Sequence, residues 1–405
     1  MEKPIRKRMK IVHICSSDSG GAGKAALRLH KGLIQSGIDS NFLVISKTTE
    51  AQGVVQYERS LLSKLITHSC IPYRQNKYKG FIRKLFRDYE CLSFPEAIYD
   101  ISTSPLIKEA DIINLHWVGS CLNYKSFFSK IKKNIVWTLH DMNPFLGIAH
   151  YIGDRDRNTE NSELEEKIRI LKRDSIHQAK NLMIVTLCEW MKKFSMQSEI
   201  FSPYEHHIIP NSLDINIFKY RDKQEARRRL GYNSGKPVLM FMSQHTENFR
   251  KGYDILSEVI STNNFDCEFI IIGQGDPKSF NEKTHFLGNI TSEERLSMLY
   301  AAADAFILPS REDNLPNTML ESLCCGTPVI SMPNGGMKEN IQDGINGFIC
   351  KTIDAKGLYD GIATFLENKS IFNNKEIAEN AHKKFAPSIQ ANSYIELYTS
   401  LVYKE

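Results

Sequence analysis

The chain has 405 residues, a formal charge of +5, 41% hydrophobic and 24% charged residues. That length exceeds one ordinary core, so two domains are expected, with a composition typical of a globular protein. The mild positive excess permits an anionic ligand or surface and gives no reason to expect nucleic acid.

Nine cysteines are scattered through the sequence, odd in number and without a CxxC pair. Neither a zinc site nor a disulfide framework is therefore expected, and the pattern suits a reduced, cytoplasmic setting. The start, MEKPIRKRMKIVHIC, has a basic stretch but lacks the apolar region of a signal peptide, and no run reaches the length of a membrane span.

In chain order, short apolar strands alternate with helical stretches. Ile11–Cys15 reads as a strand, followed by a glycine-rich turn and a helix with Ala26, Leu29, Leu33 and Ile34 on one side. Further strands are predicted at 41–46, 111–117, 134–141, 181–187 and 206–212. The pattern restarts with strands at 236–243 and 267–275, a short one in HFLGNI, and one at 305–310. Alternation of this kind argues for parallel sheets covered on both faces. The loop IIPNSLDINIF, residues 208–218, is the expected linker. The expected architecture is α/β, with two Rossmann-like domains facing a central cleft. They are 1–209 and 210–385. A final helix, 386–405, is expected to pack back toward the first domain.

The stretch SREDNLPNTMLESLCCGTPVISMPNGG, residues 310–336, carries the most chemistry. It predicts a loop, a helix from about Pro316 to Cys325, and a strand through Val329 and Ile330. Met319, Leu320 and Leu323 give the helix an apolar face, and Glu321 sits among them. A buried carboxylate needs a partner, either a basic side chain or a ligand. In an open parallel sheet, ligands bind at the carboxyl ends of the strands. There the amides of Asn314, Leu315 and Pro316's helix start form an anion site. Arg250 and Lys251, in RKG after the first strand of the same domain, add two cations. Gly288 and Asn289 offer backbone to a flat base, Glu321 a carboxylate to a ribose, and Asp313 an acceptor for sugar hydroxyls. The ligand these residue types describe together is a nucleotide sugar.

These motifs resemble glycosyltransferase family 4, of the GT-B fold, over nearly the whole chain. The family hallmark is a glutamate, seven intervening residues and a second glutamate before an A-x-x-x-G-x-P-V stretch. This sequence has Asp313 at the first position and Glu321 at the second. Gly20, Gly21 and Ala22 resemble the family's N-terminal glycine loop. LHDM resembles its His-Asp motif, which makes His140 the match for the active-site histidine. DIINLHW resembles the usual strand ending in a histidine, and IIPNSLD the interdomain linker. Lys251 matches the phosphate-binding lysine, while NGG and Glu339 resemble the loop that closes on the sugar. The family's arginine before that lysine is missing from MSQHTENF, and Arg250 is its candidate replacement.

The resemblance implies a retaining hexosyltransferase-type glycosyltransferase that needs no metal or other cofactor. His140, Lys251 and Asp313 would be its catalytic residues. Its acceptor would be a saccharide or lipid-linked saccharide in surface-polysaccharide synthesis. A non-hydrolysing nucleotide-sugar epimerase and a degenerate nucleotide-sugar-binding scaffold remain open alternatives. A glycine fingerprint with a downstream acid, the mark of a dinucleotide oxidoreductase, does not occur. Finally, YRQNKYKGFIRKLFR, residues 73–87, has six cations, no acid and apolar residues at helical spacing. It suits either packing on the N-terminal sheet or weak peripheral contact with an anionic inner membrane face.

Overall fold

The computed structural model describes residues 9–58, 89–232, 235–262, 265–275 and 284–403. The basic stretch 73–87 lies outside them. The chain forms two compact units, Met1–Pro210 with Gln390–Glu405, and Asn211–Ile389.

Among the described residues the first unit has seven strands, β1 (Lys10–Ser17), β2 (Asp39–Ser46), β3 (Val54–Gln56), β4 (Ile112–Leu115), β5 (Asn134–Leu139), β6 (Leu182–Thr186) and β7 (Glu205–Ile208). They lie in the order β3-β2-β1-β4-β5-β6-β7, and every pairing is parallel. Alternate side chains face opposite ways. Val12 and Ile14 enter one apolar cluster with Ile113, Leu115, Ile135 and Trp137. Ile11 enters another with Leu29, Leu33, Ile112 and Val136. Both faces are buried, which is why the strands read as nearly continuous apolar runs.

The second face also receives the final helix, Pro387–Val402. Its Tyr394 and Tyr398 are fully buried against this sheet. Their hydroxyls satisfy the polar residues there: Asn114 donates to Tyr398 Oη at 2.7 Å, and Thr138 Oγ1 meets Tyr394 Oη at 2.8 Å.

Among its described residues the second unit holds six parallel strands, β8 (Val238–His245), β9 (Glu268–Gln274), β10 (Thr284–Phe286), β11 (Ala305–Leu308), β12 (Val329–Ser331) and β13 (Gly347–Ile349). Their order is β10-β9-β8-β11-β12-β13. Its core packs Leu239, Phe241, Ile271 and Ile307 against the helices Tyr253–Thr262 and Ala355–Asn368. Helix starts follow local rules: Asp222 caps Lys223–Leu230 and Ser292 caps Glu293–Ala302, each accepting from a backbone N–H three residues on.

The strand order reverses between β1 and β4 in one sheet and between β8 and β11 in the other. At such a switch point the loops leave in opposite directions and open a crevice at the strands' carboxyl ends. Among the described residues no helix is long and apolar enough to cross a membrane.

Candidate functional site

In the second unit the switch point is formed by the loops after β8 and β11. After β8 the chain makes a short 3-10 turn, Phe249–Lys251. Arg250 and Lys251 therefore sit on this turn, and the α-helix begins only at Tyr253. Gly252 between them has φ +70°, and a Cβ there would stand 2.0 Å from the Pro309 carbonyl oxygen. Only glycine allows both that backbone and that approach.

The two loops are tied together at several levels. Arg311 N–H donates to the Arg250 carbonyl at 2.8 Å, and Arg250 Nη1 donates to the Glu312 carbonyl at 2.9 Å. Arg311 forks onto Asp254 at 2.7 and 2.6 Å and lies over the Phe249 ring. Lys251 Nζ donates to Asp313 Oδ2 at 2.5 Å, with Arg250 Nη1 3.4 Å from the same oxygen. Asp313 is only 6% exposed. Burial alone would push its carboxyl up, but the Lys251 and Arg250 charges outweigh burial and hold it below the ordinary carboxylate range.

The NGG loop packs on the same segment. Gly336 N–H reaches the Asn314 carbonyl at 2.7 Å. A Cβ on Gly335, at φ +62°, would stand 1.8 Å from the Asp313 carbonyl. Asn314, Leu315 and Pro316 are buried just before the helix Asn317–Cys324. That helix starts one residue later and ends one residue earlier than the sequence predicts.

Glu321 is buried within it at 7% exposure. Its partner question has an answer inside the protein: Tyr300 Oη donates to Glu321 Oε2 at 3.1 Å. Burial first, then the neighbouring carboxylate charge, pushes the Tyr300 phenol well above its usual range. Gly288 has φ +64° with open space where a Cβ would stand, and Asn289 beside it is exposed. The structure thus gathers Arg250, Lys251, Asp313 and Asn314 into one bonded cluster. Glu321 stands on the adjoining helix, and Gly288 and Asn289 follow β10.

His140 and Gly21 belong to the first unit. Gly21 is exposed in the first turn of the helix Gly20–Gln35. The tight approach there belongs to Gly23, whose Cβ would meet the Ser17 carbonyl at 2.4 Å. Asp18 anchors this loop by accepting from the backbone and hydroxyls of Thr48 and Thr49. His140 follows β5, and its Nε2 lies 3.0 Å from His116 Nδ1. Burial lowers His140 to about 4, against the raising effect of Asp141.

Next to it, Asp141 Oδ2 accepts from Trp117 Nε1 at 2.8 Å and from His150 Nδ1 at 2.6 Å. His150 Nε2 meets Ser93 Oγ at 2.9 Å. The segment between Asp141 and His150 is further held by Lys172, which donates to Asn143 and Gly147 carbonyls at 2.6 Å each, and by Glu165, which accepts from the Ile148 and Ala149 amides. Asp18, Ser93, His150, Glu165 and Lys172 went unsingled in the sequence. None stands in a short motif; Ser93 and His150 are polar residues among mostly apolar neighbours, whereas Asp18, Glu165 and Lys172 lie in polar or charged stretches that give no local signal.

Two parallel sheets, each with its loops converging at a switch point, and a cation–carboxylate cluster at one of them define a GT-B architecture. Residues 236–368 match the family model described as glycosyl transferases group 1. Over 98% of this chain and 97% of the relative, the sequence is 22% identical to N-acetyl-alpha-D-glucosaminyl L-malate synthase of Bacillus anthracis. The fold resembles sucrose-phosphate synthase of Thermosynechococcus elongatus with a TM-score of 0.71, at 15% identity, covering 98% and 100% of the two chains. It also resembles Alr3699/HepE of Anabaena, solved in complex with UDP-glucose, with a TM-score of 0.65, at 16% identity, covering 97% and 100%. The chain is a glycosyltransferase of the GT-B fold, with a group 1 glycosyltransferase domain in its second unit.

Proposed function

We propose that the protein moves a sugar, with retention at the anomeric carbon, from a nucleotide-sugar donor to a saccharide or lipid-linked saccharide. Surface-polysaccharide synthesis is the setting that the sequence resemblance suggests. The observation that carries the donor half is the cluster at the β8/β11 switch point. There two cations, Arg250 and Lys251, converge on one carboxylate oxygen, Asp313 Oδ2. A diphosphate arriving at this rim meets these cations and the helix start that follows Pro316. The neighbour holding UDP-glucose supports the same donor class.

In this reading Lys251 and Arg250 stabilise the departing diphosphate, and no metal is needed for that charge compensation. Stabilisation of developing charge is usually the largest catalytic contribution. Lys251 shifts its ammonium from Asp313 toward the phosphate, and Asp313 is released to accept from sugar hydroxyls. Glu321, its Oε2 fixed by Tyr300, accepts from the ribose. Gly288 and Asn289 line the base. The departing phosphate takes the proton of the attacking hydroxyl, and His140 hydrogen-bonds the sugar being moved.

The test is a transfer assay with a panel of nucleotide sugars and saccharide acceptors, following nucleoside diphosphate release and the new glycosidic bond. Acceptor-dependent product with retained anomeric configuration supports the reading. Isomerisation of the donor without an acceptor would identify an epimerase instead, and binding without turnover a scaffold.

A further inference from the structure

Three histidines of the first unit stand in one row. His13 lies in β1, His116 one residue past β4 and His140 one residue past β5, on three neighbouring strands. His13 is in register with Asn114, two residues before His116. Leu115 is in register with Trp137, so His116 aligns with Thr138, again two residues before His140. The row climbs the sheet diagonally, and strand periodicity keeps all three rings on one face.

His13 Nδ1 lies 2.9 Å from His116 Nε2, and His116 Nδ1 lies 3.0 Å from His140 Nε2. His13 and His116 are buried, while His140 is partly exposed at the carboxyl edge. The rings make a line rather than a cage: among the described residues no group of three or more His, Cys, Asp or Glu side chains has metal-holding geometry. Burial, together with the neighbouring histidines, lowers His13 and His116 well below the usual histidine range, so the rings are neutral.

A neutral imidazole has one N–H donor and one acceptor nitrogen. Two contacts among three such rings can therefore be satisfied in only two ways, with every proton pointing along the row in one sense or in the other. His13 Nε2 decides between them, because it is buried and has no hydrogen-bond partner among the described residues. A proton there would be an orphaned buried N–H, which is rare and costly, whereas a bare ring nitrogen at that place forfeits less.

We infer that His13 and His116 are positioning residues that hold His140 in the tautomer with its proton on Nδ1. His13 Nδ1–H donates to His116 Nε2, and His116 Nδ1–H donates to His140 Nε2. His140 Nε2 is then occupied as an acceptor, and Nδ1–H is the ring's one donor. On the transferase reading, which this last step rests on, His140 gives a hydrogen bond to a sugar oxygen and is neither base nor nucleophile.

The experiment uses the full chain labelled with 15N-histidine, with His140 assigned by its loss in His140→Gln. Two-bond 1H–15N spectra of the wild type should show His140 with a protonated Nδ1 and a bare Nε2. His116→Phe should let His140 relax toward the Nε2–H form that free imidazole prefers. His116→Gln, which keeps one donor and one acceptor, should retain Nδ1–H. In the transfer assay His116→Phe should lower kcat by about 100-fold with donor KM unchanged, as for misplacement of a reacting group's partner, and His116→Gln should recover most of it. A wild-type His140 protonated on Nε2 overturns the inference, whatever the activity of the variants. A wild type with the Nδ1–H ring that transfers no sugar from any donor refutes the transferase reading and leaves the tautomer assignment standing.

Discussion

Lys251 and Asp313 face each other across the switch point, with Nζ 2.5 Å from Oδ2. They are 62 positions apart in the chain and come from different loops. The pair holds the Lys251 side chain at the rim, where an arriving diphosphate competes with Asp313 for it. Lys251→Ala should lower kcat by about 100- to 1,000-fold, as loss of a donor to developing negative charge does. The fold should persist, because Arg250 still faces Asp313. Steady-state kinetics beside a thermal melt checks this, and wild-type turnover in the variant would remove Lys251 from the site.

Tyr300 and Glu321 lend themselves to a paired test. Glu321→Ala should abolish donor binding while the protein stays folded. Tyr300→Phe removes one hydrogen bond to the buried carboxylate, worth about 1.5–3 kcal/mol for a charged acceptor, so it should lower the Tm and weaken donor binding by less than Glu321→Ala does. Titration calorimetry with the donor separates the two. Unchanged donor affinity in Glu321→Ala would make that carboxylate purely structural.

Gly252→Ala forces a side chain into φ +70° and against the Pro309 carbonyl. Backbone strain of about 1–3 kcal/mol is expected from the φ value alone, and the collision adds to it. The turn carrying Arg250 and Lys251 must move, so activity should fall as strongly as in Lys251→Ala even where the melt shows most molecules folded. Kinetics and a melt on the same preparation test this.

The Asp141–His150 pair predicts a pH signature. Burial lowers His150, but the Asp141 charge and hydrogen bond outweigh it and raise His150 to about 10. Because the folded value lies above the unfolded one, ~6.5, the stabilisation is fully present below about pH 6.5 and is lost as pH rises toward 10. The gap in Tm between wild type and His150→Gln should therefore be widest near pH 6 and close progressively above neutrality. A gap that widens with pH would contradict the pairing.

Much of this was legible in the sequence. Strand–helix alternation reports a parallel sheet because both faces of each strand are buried, and the runs around Ile11, Ile112, Ile135 and Ile270 show it. The motif from Asp313 to Glu321 is local, so its loop and helix could be placed to within a residue. Other features were not legible. β3 and β13 are three-residue edge strands, too short for periodicity to register. The His13–His116–His140 row depends on register between strands about 20 to 100 residues apart, which no local pattern encodes. Glu321 has a tyrosine partner that nothing in the sequence pointed to, because Tyr300 reaches it from a separate helix.

The most direct measurement is a thermal-shift titration of the wild type, Lys251→Ala and Glu321→Ala with UDP, GDP and their sugar derivatives. A ligand at 100 times its Kd stabilises the folded state by about 2.7 kcal/mol. At least one nucleotide sugar should raise the wild-type Tm in a saturable way, and neither variant should respond at the same concentration. Absence of any shift in the wild type, or equal shifts in all three proteins, would contradict a donor site built on Lys251, Asp313 and Glu321.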